Sequence, residues 1–191
     1  MNSPVKNSHL WITGTFLMLV LILLGTLLPF NGLYGQDAHA YTQYTQSIQN
    51  SLLEGEEPGN FFWPVMYPFL GAIAGIAIPG IYGTQFISIL ALVGCFIYLN
   101  KLLQYLHPHQ SWQILIYTIP AFVLAPYVLR ASLVTMSDIP ALCFLLGTLF
   151  HVFRYQARFQ WHDAALAALL GSAALFSRYA TAVLLVFPAA Y

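Results

Sequence analysis

Charge is what this 191-residue sequence has least of: six Lys and Arg, six Asp and Glu, 6% of the chain, and no net charge. A water-soluble domain carries roughly a quarter charged residues, and no soluble core of this length hides an apolar content of 59%. The expected solvent is a bilayer. A basic block is also missing, which argues against nucleic acid as a partner. There are only two cysteines, Cys95 and Cys143, both inside apolar runs and without metal-like spacing, so they read as small hydrophobes and leave the redox compartment open. No glycine-rich phosphate loop, His-Glu-x-x-His or paired-cysteine motif occurs, and soluble-type nucleotide binding is not expected. Internal repeats and low-complexity linkers are absent as well.

What the chain has in quantity is apolar runs, at residues 10–29, 61–79, 86–99, 112–129, 139–153 and 164–188. The first is about long enough to cross a hydrocarbon core, which takes roughly 20 residues, and without an obvious small-residue cleavage site it reads as an uncleaved helix. Residues 31–60 are the polar exception and hold Asp37, Glu54, Glu56 and Glu57, four of the six acids. Within them Tyr41, Tyr44, Ile48 and Leu52 recur at helical spacing with glutamines on the other faces, which predicts an amphipathic helix along the membrane surface. The run that follows, "FFWPVMYPFLGAIAGIAIPG", carries Pro64, Pro68 and Pro79, and each interior proline removes a backbone donor and kinks a helix. It is expected to be broken and only partly inserted, so that 31–80 forms one outer loop.

That reading sets the topology. If all six runs crossed, Lys6 would lie opposite Lys101, Arg154 and Arg158; if the proline-rich run does not cross, all four share one face, which the positive-inside tendency makes cytoplasmic. Asp37 and Asp138 then emerge together on the outer face. So do Arg130, after the run 112–129, and Arg178, about two thirds of the way along the last run. An arginine within a span costs roughly 2.5–3.5 kcal/mol on insertion scales, so it normally faces a partner or a wet cavity.

Each candidate has a plainer alternative. Asp37 could be only the N-cap of the amphipathic helix, and Ser137 or Asp138 only the start of the next helix with Pro140 in its first turn. His39 is a ligand or proton carrier, or a solvated surface residue. Arg178 binds a partner or snorkels to the interface. Ala164, Ala168 and Ser172 form a small-residue ladder that implies close helix packing and no chemistry.

The order of a first apolar helix, "DAHAY", "WPVMYPFL", "LRASLVTMSDIPALCFLLGTLF" and "SRYATAVLLVFP" resembles the amino-terminal module of GT-C membrane glycosyltransferases, in particular the bacterial relatives of protein mannosyltransferases and aminoarabinose transferases. The resemblance spans nearly the whole chain through short motifs. It implies an all-α, polytopic bundle in the bacterial inner membrane, here residues 1–191 of a longer protein. The implied reaction moves a sugar, with inversion, from a polyprenyl-phosphate carrier to a lipid, glycan or protein acceptor on the outer side. The family's first-loop aspartate, its catalytic residue, falls on Asp37, and its second outer acid on Asp138. Ala38 stands where the family often has another acid, and Trp63 where it often has a lysine. The expected donor-phosphate cations are therefore Arg178 first and Arg130 second, with Tyr41 and His39 as further substrate-binding candidates. Asp37 would act as general base. Asp138 would orient the acceptor, hold Arg130, or share a divalent cation with Asp37; no cofactor is required. The rival expectations are a transporter or flippase component, in which the same charges line a pathway, and a non-catalytic membrane subunit.

Overall fold

The computed structural model describes residues 7–28 and 31–189, so the expectations that involve Lys6 and Pro29 lie outside the described residues. All regular structure among the described residues is helical. The helices are α1 (Asn7–Leu27), α2 (Gly35–Glu54), α3 (Met66–Gly75), α4 (Tyr82–Leu106), α5 (Ser111–Val123), α6 (Pro126–Leu133), α7 (Asp138–Arg158), α8 (Trp161–Ser177) and α9 (Thr181–Ala189), with a 3₁₀ turn at Pro108–Gln110. Two of them, α1 and α4, are long and apolar enough to cross a membrane, and a third span results if α5 and α6 count as one bent element.

The central element is α4. One of its faces buries Ile89, Leu92 and Phe96 against Leu10, Leu17 and Leu21 of α1, whose seven- and four-residue spacings keep all three on one side of that helix. On the far side of α1, Trp11, Ile12, Phe16, Leu19, Leu23 and Leu27 remain exposed. Inside the bundle the amide of Asn100 on α4 accepts from the Thr118 hydroxyl of α5 at 3.0 Å, so neither buried group lacks a partner.

The proline-rich run contributes only ten helical residues to α3, about 15 Å of rise against a hydrocarbon core of about 30 Å. It folds back on the start of α4 through glycines. A Cβ on Gly83 would lie 2.9 Å from the backbone nitrogen of Gly75, so the close approach of α3 to α4 needs that glycine. Against α3 lies α2, burying Ala38, Tyr41, Thr45 and Ile48. This stripe is rotated from the expected one: Leu52 is exposed, because α3 is too short to cover the last turns of α2.

Two apolar runs that read as single helices are broken. Residues 112–129 divide into α5 and α6 with a bend of 64°. The residue before Pro126, Ala125, is extended, as the proline ring requires of its neighbour, and this interrupts the helix and places Arg130 inside α6. Residues 164–188 divide at Arg178, which is extended at φ −157° and ψ 119°. Leu185 of α9 then packs near Gly171 of α8, so the two helices form a hairpin, and Arg178 sits at its turn and not along a span.

The connections define two ends. At one, α2 and α3 lie beside the starts of α4 and α7 and the end of α8. At the other, the ends of α4 and α7 meet the starts of α1, α5 and α8.

Candidate functional site

The α2 end is assembled by backbone ties before any charge acts. The Thr135 amide donates to the Gly32 carbonyl at 2.9 Å, and the Gln85 side-chain amide donates to the Leu133 carbonyl at 2.9 Å. Gly32 has φ +77°, a conformation that favours glycine, and Gln85 fills the space a Cβ would need. The loop into α2 is thereby fixed to the α6–α7 connection, although the two are a hundred residues apart in sequence.

Tyr41 carries this tie into the side chains. Its buried hydroxyl pairs with that of Ser137 at 2.9 Å, and its ring meets Tyr67 edge-on at a centroid distance of 5.4 Å. The hydroxyl of Tyr67 in turn donates to the Thr84 carbonyl and pairs with Ser88. Burial pushes the Tyr41 hydroxyl above its ordinary value, and the Ser137 hydrogen bond opposes this. Asp37 raises it further and Arg178 lowers it.

Next to Ser137, Asp138 forms an ion pair with Arg178. Both side chains are only about half covered, at 40% and 46% exposure, so the pair is accessible. Arg130 does not join them. Its guanidinium lies 3.8 Å from the ring centroid of Tyr34, and it makes no ion pair among the described residues. Of the three roles open to Asp138 in the sequence, holding Arg130 is replaced by holding Arg178, since the break at the end of α8 brings that arginine to the first residue of α7. Asp37 is not a cap: it is the third residue of α2, whose N-cap is Tyr34, and its carboxylate is half-buried without a hydrogen bond among the described residues. His39 is exposed and outside this arrangement. No group of three or more His, Cys, Asp or Glu among the described residues could hold a metal ion.

A second polar cluster at the opposite end was not anticipated from the sequence. Nδ1 of His151 on α7 lies 2.8 Å from the carboxylate of Asp163 on α8, with Arg154 at 3.6 Å and His162 at 3.7 Å. Asp163 is fully buried. Burial opposes its ionisation, but the His151 hydrogen bond and the charges of Arg154 and His162 outweigh it and hold the carboxyl below its ordinary value. The available signal was "HVFRYQARFQWHD", in which His151 and Arg154 share a helix face one turn from a chain reversal that ends in an acid.

No protein-family model, curated protein or solved structure matches this chain.

Proposed function

We propose that this chain is the amino-terminal module of a polytopic membrane glycosyltransferase of the GT-C type, which takes a sugar from a polyprenyl-phosphate carrier on the outer face of the membrane. The observation that carries this reading is the Tyr41–Ser137 contact, which unites the α2 that bears Asp37 with the Asp138–Arg178 pair at one end of the bundle.

The membrane reading has an energetic argument behind it. Exposing Trp11, Ile12, Phe16, Leu19, Leu23 and Leu27 to water would forgo roughly 1.5–3 kcal/mol each, on the order of 10 kcal/mol together. That is comparable to the whole net stability of a domain. Lipid around α1 removes the cost. Of the described basic residues, Lys101, Arg154 and Arg158 lie at the end opposite α2 and Arg130 and Arg178 at the α2 end, a small excess that favours the opposite end as the cytoplasmic one.

In this site the acceptor oxygen bonds to the anomeric carbon as the bond to the carrier phosphate breaks on the opposite face and the polyprenyl phosphate leaves. The acceptor hydroxyl gives its proton to Asp37, a half-buried carboxylate with no ion pair among the described residues. Asp138 and Arg178 act as a unit: the arginine holds the carboxylate in place for the acceptor, and the pair is neutral until a substrate group separates it.

The test is Asp37→Asn in the full-length protein. An amide keeps the size and hydrogen-bonding oxygen but cannot take a proton, so sugar transfer from a polyprenyl-phosphate donor should fall at least about a hundredfold, while expression and donor binding stay near wild type. Removing a charge from the first turn of α2 forgoes only about 0.3–1 kcal/mol of helix-dipole stabilisation. Near-normal transfer by the variant would end the assignment.

A further inference from the structure

At the end opposite α2, the last turns of α4 and α7 carry cations that almost no acid answers. Lys101, Arg154 and Arg158 belong to this end, and its one acid among the described residues, Asp163, is fully buried. Lys101 makes no ion pair among the described residues. Its Nζ stands 5.9 Å from the ring centroid of Trp11 on α1 and 5.8 Å from that of Phe150 on α7. The Arg154 guanidinium lies 5.5 Å from the same Phe150 ring and approaches Asp163 through Nε at 3.6 Å. Two like charges thus share one ring, and an anion placed between them would lower the energy of both.

The face of α4 that ends at Lys101 runs between two neighbours. Val93 and Ile97 lie close to Gly14 of α1, and Gly94 lies against Cys143 of α7. With about 100° of turn per residue, Leu90 and Lys101 fall between these two sets around the helix, and Leu90 is 40% exposed. From Leu90 to Lys101 the helix rises about 16 Å, close to the roughly 15 Å of hydrocarbon in one leaflet of a core of about 30 Å. A lipid chain that starts at Leu90 therefore brings its headgroup to Lys101.

We propose that this strip of α4, with Lys101 and Arg154 at its end, binds one anionic phospholipid of the leaflet opposite α2, its acyl chain on Leu90 and its phosphate between the two cations. A zwitterionic lipid brings its own cation to the phosphate and gains less, and a free phosphate forgoes the apolar strip. The site rests on the membrane reading above, lies at the other end of the bundle from Asp37, and takes no part in sugar transfer.

The experiment is native mass spectrometry of the purified full-length protein in detergent, titrated with dioleoyl phosphatidylglycerol or dioleoyl phosphatidylcholine. One phosphatidylglycerol should bind at least about fivefold more tightly than phosphatidylcholine, the usual worth of one cation facing an anionic lipid. Glycerol phosphate and inorganic phosphate should displace it far more weakly than unlabelled phosphatidylglycerol, because they lack the chain. Lys101→Gln should lower phosphatidylglycerol affinity about fivefold and leave phosphatidylcholine binding as it was, while Lys101→Arg should keep the preference. Arg158→Gln removes an exposed cation of the same end that lies off the strip, and the preference should survive it. Leu90→Trp, at an exposed position on the strip, should weaken phosphatidylglycerol binding. Equal affinity for the two lipids, unchanged affinity in Lys101→Gln, an equal loss in Arg158→Gln, or equal displacement by inorganic phosphate would overturn the proposal. No bound lipid of either kind would remove the membrane reading, and this site with it. Lys101-dependent binding by a protein that transfers no sugar would uphold the site and leave only the transferase reading to fall.

Discussion

Two charged clusters among the described residues are built from the same kinds of side chain and placed in opposite settings. Asp138 and Arg178 meet at the α2 end with both side chains about half exposed, while Asp163 at the other end is fully covered by His151, Arg154 and His162. An exposed pair contributes about 0–1 kcal/mol and can be opened by a ligand at little cost. A buried carboxylate cannot be left alone without a penalty of several kcal/mol, so its partners are bound into the fold. The comparison separates a pair available for chemistry from one that fastens α7 to α8.

The largest effect expected from this comparison is all-or-none. With Cys95 and Cys143 replaced, a cysteine at Glu56 should react with an impermeant thiol reagent from outside the cell, and one at Gln160, beside the buried cluster, only after permeabilisation. Both positions are exposed. Ser137, nearer the rim pair, is buried and would report poorly. Outside labelling at Gln160 would put both clusters on one face and break the comparison.

Stability should divide the clusters next. Asp163→Asn should cost about 1.5–3 kcal/mol, the usual worth of a hydrogen bond to a charged group, and Asp138→Asn less than about 1 kcal/mol. Thermal unfolding in detergent measures both, and equal losses would show that exposure does not distinguish them.

Acid should act on the same difference. The folded Asp163 carboxyl lies below its unfolded value, so the stability it contributes is fully present above about pH 4 and is lost as pH falls through the lower folded value. Melting temperatures from pH 7 down to pH 3 should fall more steeply for the wild type than for Asp163→Asn. Parallel curves would remove Asp163 as the source.

The smallest effect concerns the link between α2 and the rim pair. Tyr41→Phe strands the buried Ser137 hydroxyl and should cost about 1 kcal/mol, while sugar transfer should fall more than stability does because Asp37 and Asp138 lose their shared support. A loss of stability alone would make the contact a packing feature only.

Much of the candidate site was legible because its elements are local. Asp37 at the start of an amphipathic segment, the serine, aspartate and proline that open α7, and prolines that shorten α3 each leave a mark within a few residues. The partners were not legible. Nothing near Arg130 in sequence signals Tyr34, and Asp163 reads as an ordinary acid in the first turn of a helix until α7 is laid beside it.

Composition and periodicity by themselves determined that the chain is helical and that some of its helices are long and apolar enough to cross a membrane, since a covalent pattern of side chains fixes what each helix face can tolerate. They also limited the chemistry to a few ionisable residues. Only the tertiary structure decided which of those meet. The bend at Pro126 sends Arg130 to Tyr34, and the break at Arg178 delivers that arginine to Asp138. Pairing depends on where helices end and turn in space, and an arginine that would be costly inside a span is stable at a rim, where a carboxylate and water both reach it.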